Sequence, residues 1–159
     1  MADAPEMDDL MRELASEVTQ VHRWLAELAG INHTDLMCLY FLRTADGTAT
    51  PKAVSEHLGL TSGATAILLN RLEAGGFIER HPHPTDRRAV LLSLGPATRQ
   101  PGLSGVRDYF RNMNRNVIDS YSPEELAIVR RFIGDMLRNT RDKLREARLG
   151  GAAPGKAAE

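Results

Sequence analysis

Apolar residues recur over the first thirty positions of the chain at the spacing of one helix face. Leucine and valine occupy positions 10, 14, 18, 21, 25 and 28, and Gly30 follows the run. Because an α-helix has 3.6 residues per turn, this spacing predicts a long first helix that ends near Gly30. A second helix is expected after Asn32, a capping residue, with Asp35 three positions on in a capping box and an apolar face over 36–42.

Shorter elements follow from position 51. Pro51 suits the first position of a short helix, and Gly59 is placed to end it. Thr61 or Ser62 can cap the next helix, which the glycine pair at 75–76 should terminate. Two short helices joined by a turn at a glycine predict a helix-turn-helix. The apolar residues of its second helix, expected to pack inward, are Ile67, Leu68 and Leu72.

A hairpin with a polar tip is expected immediately afterwards. Two short runs, 77–81 and 89–94, read as strands, and a polar segment with two prolines separates them. Arg87 and Arg88 lie in this tip, where two guanidinium groups can reach the narrow minor groove of DNA. Asp86 beside them is expected to stabilise the hairpin by pairing internally. A solvated loop tip is the alternative interpretation.

Two more helices are predicted beyond position 96. Apolar residues at 103, 106, 110, 113 and 117 mark the first, and those at 126, 129, 133 and 136 mark the second, which begins at a Ser122–Glu125 capping box. The terminal helices carry more apolar surface than one small core can cover, which favours a homodimer. The predicted fold is mainly α with a small β-hairpin wing: N-terminal helices at 6–48, a winged helix-turn-helix at 49–95, C-terminal dimerisation helices at 97–148 and a disordered tail at 149–159.

Charge divides unevenly along the chain, although 20 basic and 21 acidic residues give a net charge of −1. Residues 50–100 hold six basic and four acidic residues, a net +2, whereas residues 1–30 hold two basic and seven acidic residues, a net −5. Small hydroxyl residues and glycine at a helix start can approach DNA closely and donate to phosphate, although a cap and turn is the plainer role. The candidate DNA contacts are Thr61, Ser62, Gly63, Thr65, Arg71, Arg87 and Arg88.

The segment TPKAVSEHLGLTSGATAILLNRLEAGGFIERHPHPTDRRAVLLSL resembles the DNA-binding core of the multiple-antibiotic-resistance-regulator (MarR) family. Asp86, Arg87 and Arg88 match the family's Asp-x-Arg wing signature. The resemblance implies that Arg88 enters the minor groove and that the protein is a homodimer whose terminal helices interlock. The chain departs from the family where many members have a polar Thr-Arg pair in the recognition helix, because it has Ala66 and Ile67.

Other chemistry is weakly indicated. The only cysteine, Cys38, excludes an internal disulfide, and a buried inert thiol is favoured over an oxidation sensor. The five histidines have no convincing metal partners, and no phosphate loop or catalytic motif is present, so we expect no metal, no cofactor and no enzymatic activity. No apolar run approaches the ~20 residues that cross a bilayer, and the acidic start is unlike a signal peptide, so a cytoplasmic protein without a membrane partner is expected.

These features predict a transcription regulator that binds an inverted-repeat operator on double-stranded DNA as a homodimer. The family resemblance implies that the regulator is a repressor. By the resemblance, Trp24, His33, Tyr40 and Phe41 lie where relatives form a cleft, which predicts release by a small aromatic or phenolic effector. Core packing is the alternative role for each of these four. Two other functions remain open, a redox-sensing regulator switched through Cys38 and a winged-helix protein-interaction module.

Overall fold

Among the described residues, helices predominate and a two-stranded hairpin interrupts them. The computed structural model describes residues 4–86, 89–100, 105, 108–109 and 112–150. This order agrees with the predicted mainly helical fold with a β-hairpin. The elements are the helices α1 (Ala4–Leu28), α2 (His33–Ala45), α3 (Pro51–Leu58) and α4 (Ser62–Ala74), the strands β1 (Ile78–Pro82) and β2 (Val90–Leu94), a 3-10 helix (Pro96–Arg99), and the helices α5 (Arg115–Asp119) and α6 (Pro123–Gly150).

Helix α1 buries only the last part of its apolar stripe within the chain. Leu25 is fully buried against Leu36 of α2, whereas Leu10, Leu14 and Leu28 are more than half exposed. The helix ends as predicted, because Gly30 adopts a left-handed backbone with φ of 67°. The earlier part of this apolar stripe therefore stays largely exposed in the described part of the chain.

The start of α2 corrects one prediction. Asn32 is the N-cap residue, but its side chain makes no capping hydrogen bond. Asp35 does not complete a capping box either, because its carboxylate is buried and accepts two hydrogen bonds from Arg71 of α4. A distant cation has replaced the local backbone partner that the sequence pattern suggested.

A core of apolar side chains joins α2, α3, α4 and the hairpin. Thr50 caps α3 by accepting a hydrogen bond from the Ala53 N–H at 3.2 Å, and Gly59 ends that helix with φ of 67°. Burial of these side chains stabilises the packing of the three helices and the hairpin against one another. The fully buried members are Cys38, Leu42, Val54, Leu69, Leu72, Ile78 and Leu92.

The hairpin pairs β1 and β2 antiparallel, with Ile78 opposite Leu94 and Pro82 opposite Val90. It is anchored to the helices, because the Leu92 N–H donates to the Ala49 carbonyl at 2.8 Å. β1 lies one residue later than the predicted strand at 77–81. A short 3-10 helix follows Gly95, so the chain enters its C-terminal region through a tight turn.

The chain separates into two compact units, Met1–Phe110 and Arg111–Glu159, and α5 and α6 belong to the second. The predicted capping box at the start of α6 is confirmed, because the Ser122 N–H donates to Glu125 Oε2 at 2.8 Å and the Glu125 N–H donates to Ser122 Oγ at 3.2 Å. α6 runs to Gly150, two residues beyond the predicted end. Residues 103, 106 and 110 of the preceding predicted helix, and 151–159 of the predicted tail, lie outside the described residues.

Candidate nucleic-acid interface

The turn between α3 and α4 is held by hydrogen bonds around Ser55. The N–H groups of Gly59 and Leu60 donate to the Ser55 carbonyl, and the Ser55 hydroxyl donates to the Leu60 carbonyl at 2.6 Å. Because the left-handed residue in this turn is a glycine, the reversal carries no Cβ strain. The helix-turn-helix predicted from the sequence is therefore present and locally well supported.

Three of the predicted DNA contacts lie together at the start of α4. Thr61 accepts a hydrogen bond from the Ala64 N–H at 3.2 Å, and Thr61, Ser62 and Gly63 are exposed. Thr65 differs, because it is only 3% exposed and its hydroxyl donates to the Thr61 carbonyl at 2.9 Å. The side chain is thus nearly buried and supports the helix start, which does not favour the predicted direct contact of Thr65 with DNA.

An open cleft of about 320 Å³ lies between the two helices of the motif. The side chain of Lys52 is 85% exposed, and its ammonium lies 3.8 Å from Glu56. The cleft thus sets a cation and hydroxyl groups beside the N-terminus of α4, where free backbone N–H groups favour an anion. Its lining residues are Pro51, Lys52, Ser55, Ser62 and Thr65.

The middle of α4 departs from the predicted pattern. Leu68 and Leu72 are buried as expected, but Ile67 is 66% exposed. The prediction that Ile67 packs inward is wrong because the inward face of α4 is already filled by Leu68, Leu69 and Leu72. Ala66 is exposed as well, so the outer face of this helix is apolar at its centre.

Arg71, another predicted DNA contact, is bound to the scaffold. Its Nε donates to Asp35 Oδ2 at 3.0 Å and its Nη2 to Asp35 Oδ1 at 2.6 Å, a bidentate pair. These hydrogen bonds are the main cause of a raised pKa for the Arg71 guanidinium. The carboxylate is nearly fully buried, whereas the Arg71 side chain is 47% exposed. Arg71 therefore joins α4 to α2 with one edge of its guanidinium while part of the side chain still meets solvent.

A second arginine, which was not predicted from the sequence, joins α4 to the hairpin. Arg80 of β1 donates to Glu73 Oε2 at 2.7 Å and to Asn70 Oδ1 at 2.8 Å. Alternation along the strand places Arg80 on the same face as Ile78, which packs with the leucines of α4, but it does not identify partners on a helix. This contact engages Asn70 and Glu73 on the later part of α4.

The tip of the hairpin is organised by a histidine that lies between two prolines. His83 Nδ1 accepts hydrogen bonds from the N–H groups of Thr85 and Asp86 at 3.3 and 3.2 Å. The Asp86 carbonyl accepts from the Ala89 N–H at 3.0 Å, which closes the tip. The Asp86 side chain is exposed, and its predicted role in stabilising the wing stays a prediction. Arg87 and Arg88, the predicted groove contacts, lie outside the described residues.

The four residues of the predicted effector cleft do not form one cluster. Tyr40 packs on His22 with ring centroids 5.4 Å apart, and His33 lies 6.5 Å from the same histidine. Burial, with a smaller contribution from His33, lowers the pKa of His22. The other two lie in separate contacts: the Trp24 ring meets Tyr109 edge-on at 5.0 Å, and the Phe41 ring stacks on His57 at 4.3 Å.

Cys38 is fully buried in the core. Burial, followed by the nearby Asp35, raises the pKa of its thiol to about 12. A reactive cysteine needs thiolate character and access, and Cys38 has neither. The redox alternative therefore has no support.

Neither a metal centre nor a membrane span emerges from the described ranges. Among these residues, no three histidine, cysteine or acidic side chains are grouped as a metal ion would require. None of the described helices combines the length and apolarity needed to cross a bilayer.

Two short helices with a glycine turn, followed by an anchored hairpin, define a winged helix-turn-helix protein. Residues 29–89 match the model of the MarR family. The chain is 28% identical over 143 residues to the uncharacterised HTH-type transcriptional regulator YcgE of Bacillus subtilis, covering 86% of this chain and 90% of the relative. Over residues 29–89 the chain is therefore similar to the MarR family, which agrees with the resemblance seen in its sequence.

Solved structures agree with this assignment of the fold. A mutant MepR from multidrug-resistant S. aureus superposes with a TM-score of 0.72 at 19% identity, covering 88% of this chain and 99% of that one. Streptococcus pneumoniae FabT, solved in complex with DNA, gives a TM-score of 0.68 at 25% identity over 88% of this chain and 99% of its own. The predicted winged-helix fold and the family resemblance are both confirmed.

Proposed function

We propose that this protein is a transcription regulator that binds duplex DNA through α3, α4 and the hairpin. The observation that carries the proposal is the exposed start of α4, where Thr61, Ser62 and Gly63 stand beside a cleft lined by Lys52. A helix fits the major groove, which is about 12 Å wide, and its first turn then meets phosphates and base edges. The FabT structure in complex with DNA supports this use of the fold.

The hairpin supplies the second contact in this proposal. Its tip is closed by His83 and Asp86, and the two arginines follow directly in the chain. Arg88 enters the minor groove, where a guanidinium is attracted by the enhanced negative potential, and Arg87 contacts the backbone beside it. Arg71 acts mainly by holding α4 on α2, with its exposed part available to phosphate.

The proposed DNA-binding form is a homodimer. In the first unit, Leu10, Leu14 and Leu28 leave the α1 stripe more than half exposed. In the second unit, α6 exposes a long run of apolar side chains that a partner chain could bury. Two recognition helices about 34 Å apart would then meet successive major grooves of an inverted repeat. The exposed apolar residues of α6 are Ile128, Val129, Phe132, Ile133, Met136, Leu137 and Leu144.

In the proposed mechanism the free dimer represses its operator in the cytoplasm, without catalysis. A small aromatic or phenolic effector, bound near the rings of His33 and Tyr40, stabilises a spacing of the two recognition helices that fits DNA poorly. Such a ligand acts only through its different affinity for the two spacings. The packing of His22 on Tyr40, close to the α1–α2 contact, supports this position because it lies on the scaffold that carries α4.

Titration of the purified protein against its own upstream region tests the proposal. Binding measured by fluorescence anisotropy should weaken steeply with salt, and Arg88→Ala should lower both the affinity, by about tenfold, and the salt slope, by about one. Arg23→Ala, which removes the same charge from an exposed position on α1, is the matched control and should bind normally. Sedimentation should give a dimer. Salt-insensitive or absent DNA binding would favour a protein-interaction module instead.

A further inference from the structure

The outer face of α4 presents apolar groups where a recognition helix usually presents long polar ones. Ile67, at 66%, is the most exposed of the large hydrophobic side chains in the described part of the chain. Ala66 is exposed beside it, and Gly63, one turn earlier, has open space where a Cβ would stand. Because residues three and four apart share a helix face, these three positions form one continuous strip, the apolar strip of α4.

The polar side chains that border this strip are already engaged within the protein. Asn70 and Glu73 both accept hydrogen bonds from Arg80, and Arg71 donates twice to Asp35. Long side chains that could otherwise extend over the strip are thereby held to its sides. The centre of the proposed DNA-reading helix is left to Ala66 and Ile67.

We propose that the apolar strip of α4 reads thymine methyl groups in the major groove, an inference that rests on the DNA-binding function proposed above. The C5-methyl of thymine is the apolar group that base edges present in that groove. A G·C pair beneath Ile67 would instead place hydrogen-bonding edges against a side chain that cannot pair with them. The half-site should therefore require A·T pairs, with the thymine methyl on the strand that faces Ile67.

The geometry of the helix start supports this role. Thr61 and Ser62 are exposed at the phosphate-binding end of α4, and Ile67 lies five residues after Ser62, or about 7.5 Å along the axis at 1.5 Å per residue. With the first turn near the backbone, this distance brings Ile67 over the base edges. The missing side chain at Gly63 removes an obstacle to close approach on the same face.

Replacing thymine by uracil tests the proposal, because it removes only the methyl group. An operator is first obtained by selecting bound fragments from random duplexes, and each thymine of one half-site is then replaced singly by deoxyuridine. At one or two positions the wild-type protein should lose about fourfold in affinity, the value expected for one buried methyl group. Ile67→Ala should bind the thymine operator more weakly and show no further loss with uracil at those positions. Ile67→Val, which keeps a branched apolar side chain, should retain most of the discrimination.

Several results would overturn the inference. The proposal that Ile67 reads methyl groups would be refuted if uracil changed the affinity at no position, or if it lowered the affinity equally in wild type and in Ile67→Ala. Either result would leave the proposed DNA binding intact. If sedimentation showed that Ile67→Ala has a different oligomeric state from wild type, this side chain would lie in a protein contact instead. Absence of salt-sensitive binding to any duplex would overturn this inference together with the proposed function. Because Ile67 is exposed, thermal unfolding of Ile67→Ala should match wild type and confirm that the variant is folded.

Discussion

The ion pair between Asp35 and Arg71 joins α2 to α4 beside their shared apolar core, and its two partners are unequally buried. Asp35 is 2% exposed, whereas the Arg71 side chain is 47% exposed. A buried charge that loses its partner is costly, but an exposed one can turn into water. Removal of Arg71 should therefore destabilise the protein more than removal of the Asp35 charge.

The free energy of unfolding lost when this pair is broken should lie between the values for buried and for surface ion pairs. Breaking a fully buried pair costs about 3–5 kcal/mol, and an exposed pair contributes about 0.2–1 kcal/mol. Because about half of the Arg71 side chain is exposed, water can reach the Asp35 carboxylate once the guanidinium is removed. We therefore expect Arg71→Met to lower the free energy of unfolding by about 2 kcal/mol. Asp35→Asn keeps the shape and one acceptor, so it should cost about 1 kcal/mol.

The double variant gives the sharpest test. Once Arg71 is methionine, Asp35→Asn removes an unpaired buried charge and should stabilise the protein by about 1 kcal/mol, the opposite of its effect in wild type. Urea unfolding at pH 7 and one protein concentration measures the four free energies of unfolding. Arg12→Met is the control, because it breaks an ion pair with Asp9 in which both side chains are exposed, at 79% and 78%. It should leave the free energy of unfolding unchanged within the error of the measurement. Equal destabilisation by Asp35→Asn in both backgrounds would refute the reasoning.

Two further predictions concern the core and the hairpin base. Because burial raises the pKa of Cys38 to about 12, a disulfide reagent at pH 8 should label the thiol only after denaturation, and labelling of the native protein at the denatured rate would contradict its burial. The unfolded thiol titrates near 8.5, so this residue's contribution to stability should fall as pH rises from about 9 to 12. A Cβ on Gly95 would stand 2.4 Å from the Gly76 carbonyl oxygen, so Gly95→Ala should cost about 2–3 kcal/mol in urea unfolding. Gly63→Ala, with open space around it, should be neutral or slightly stabilising, and equal losses at both sites would show that steric contact is not the cause.

Local signals predicted most elements because they depend on residues close together in the chain. The Ser122–Glu125 capping box was confirmed, since both of its hydrogen bonds lie within four residues. The same reasoning was wrong at Asn32 and Asp35, because the Asp35 carboxylate binds a cation 36 residues away. A local pattern predicts which hydrogen-bond partners are close in the chain, but it does not predict whether a distant residue will bind the same side chain instead.

The sequence by itself determined the fold class of this protein: the helix period, the glycine turn and the strand pair together predicted a winged helix, and the Asp86–Arg88 signature added the resemblance to the MarR family. Only the tertiary structure decided which side chains of the recognition helix remain available. Periodicity places Ile67 and Arg71 on α4, but only the folded chain pairs Arg71 with Asp35 of α2 and leaves Ile67 exposed. The exposure of a side chain depends on which distant segments pack against it, and the spacing of residues along one helix does not predict those contacts.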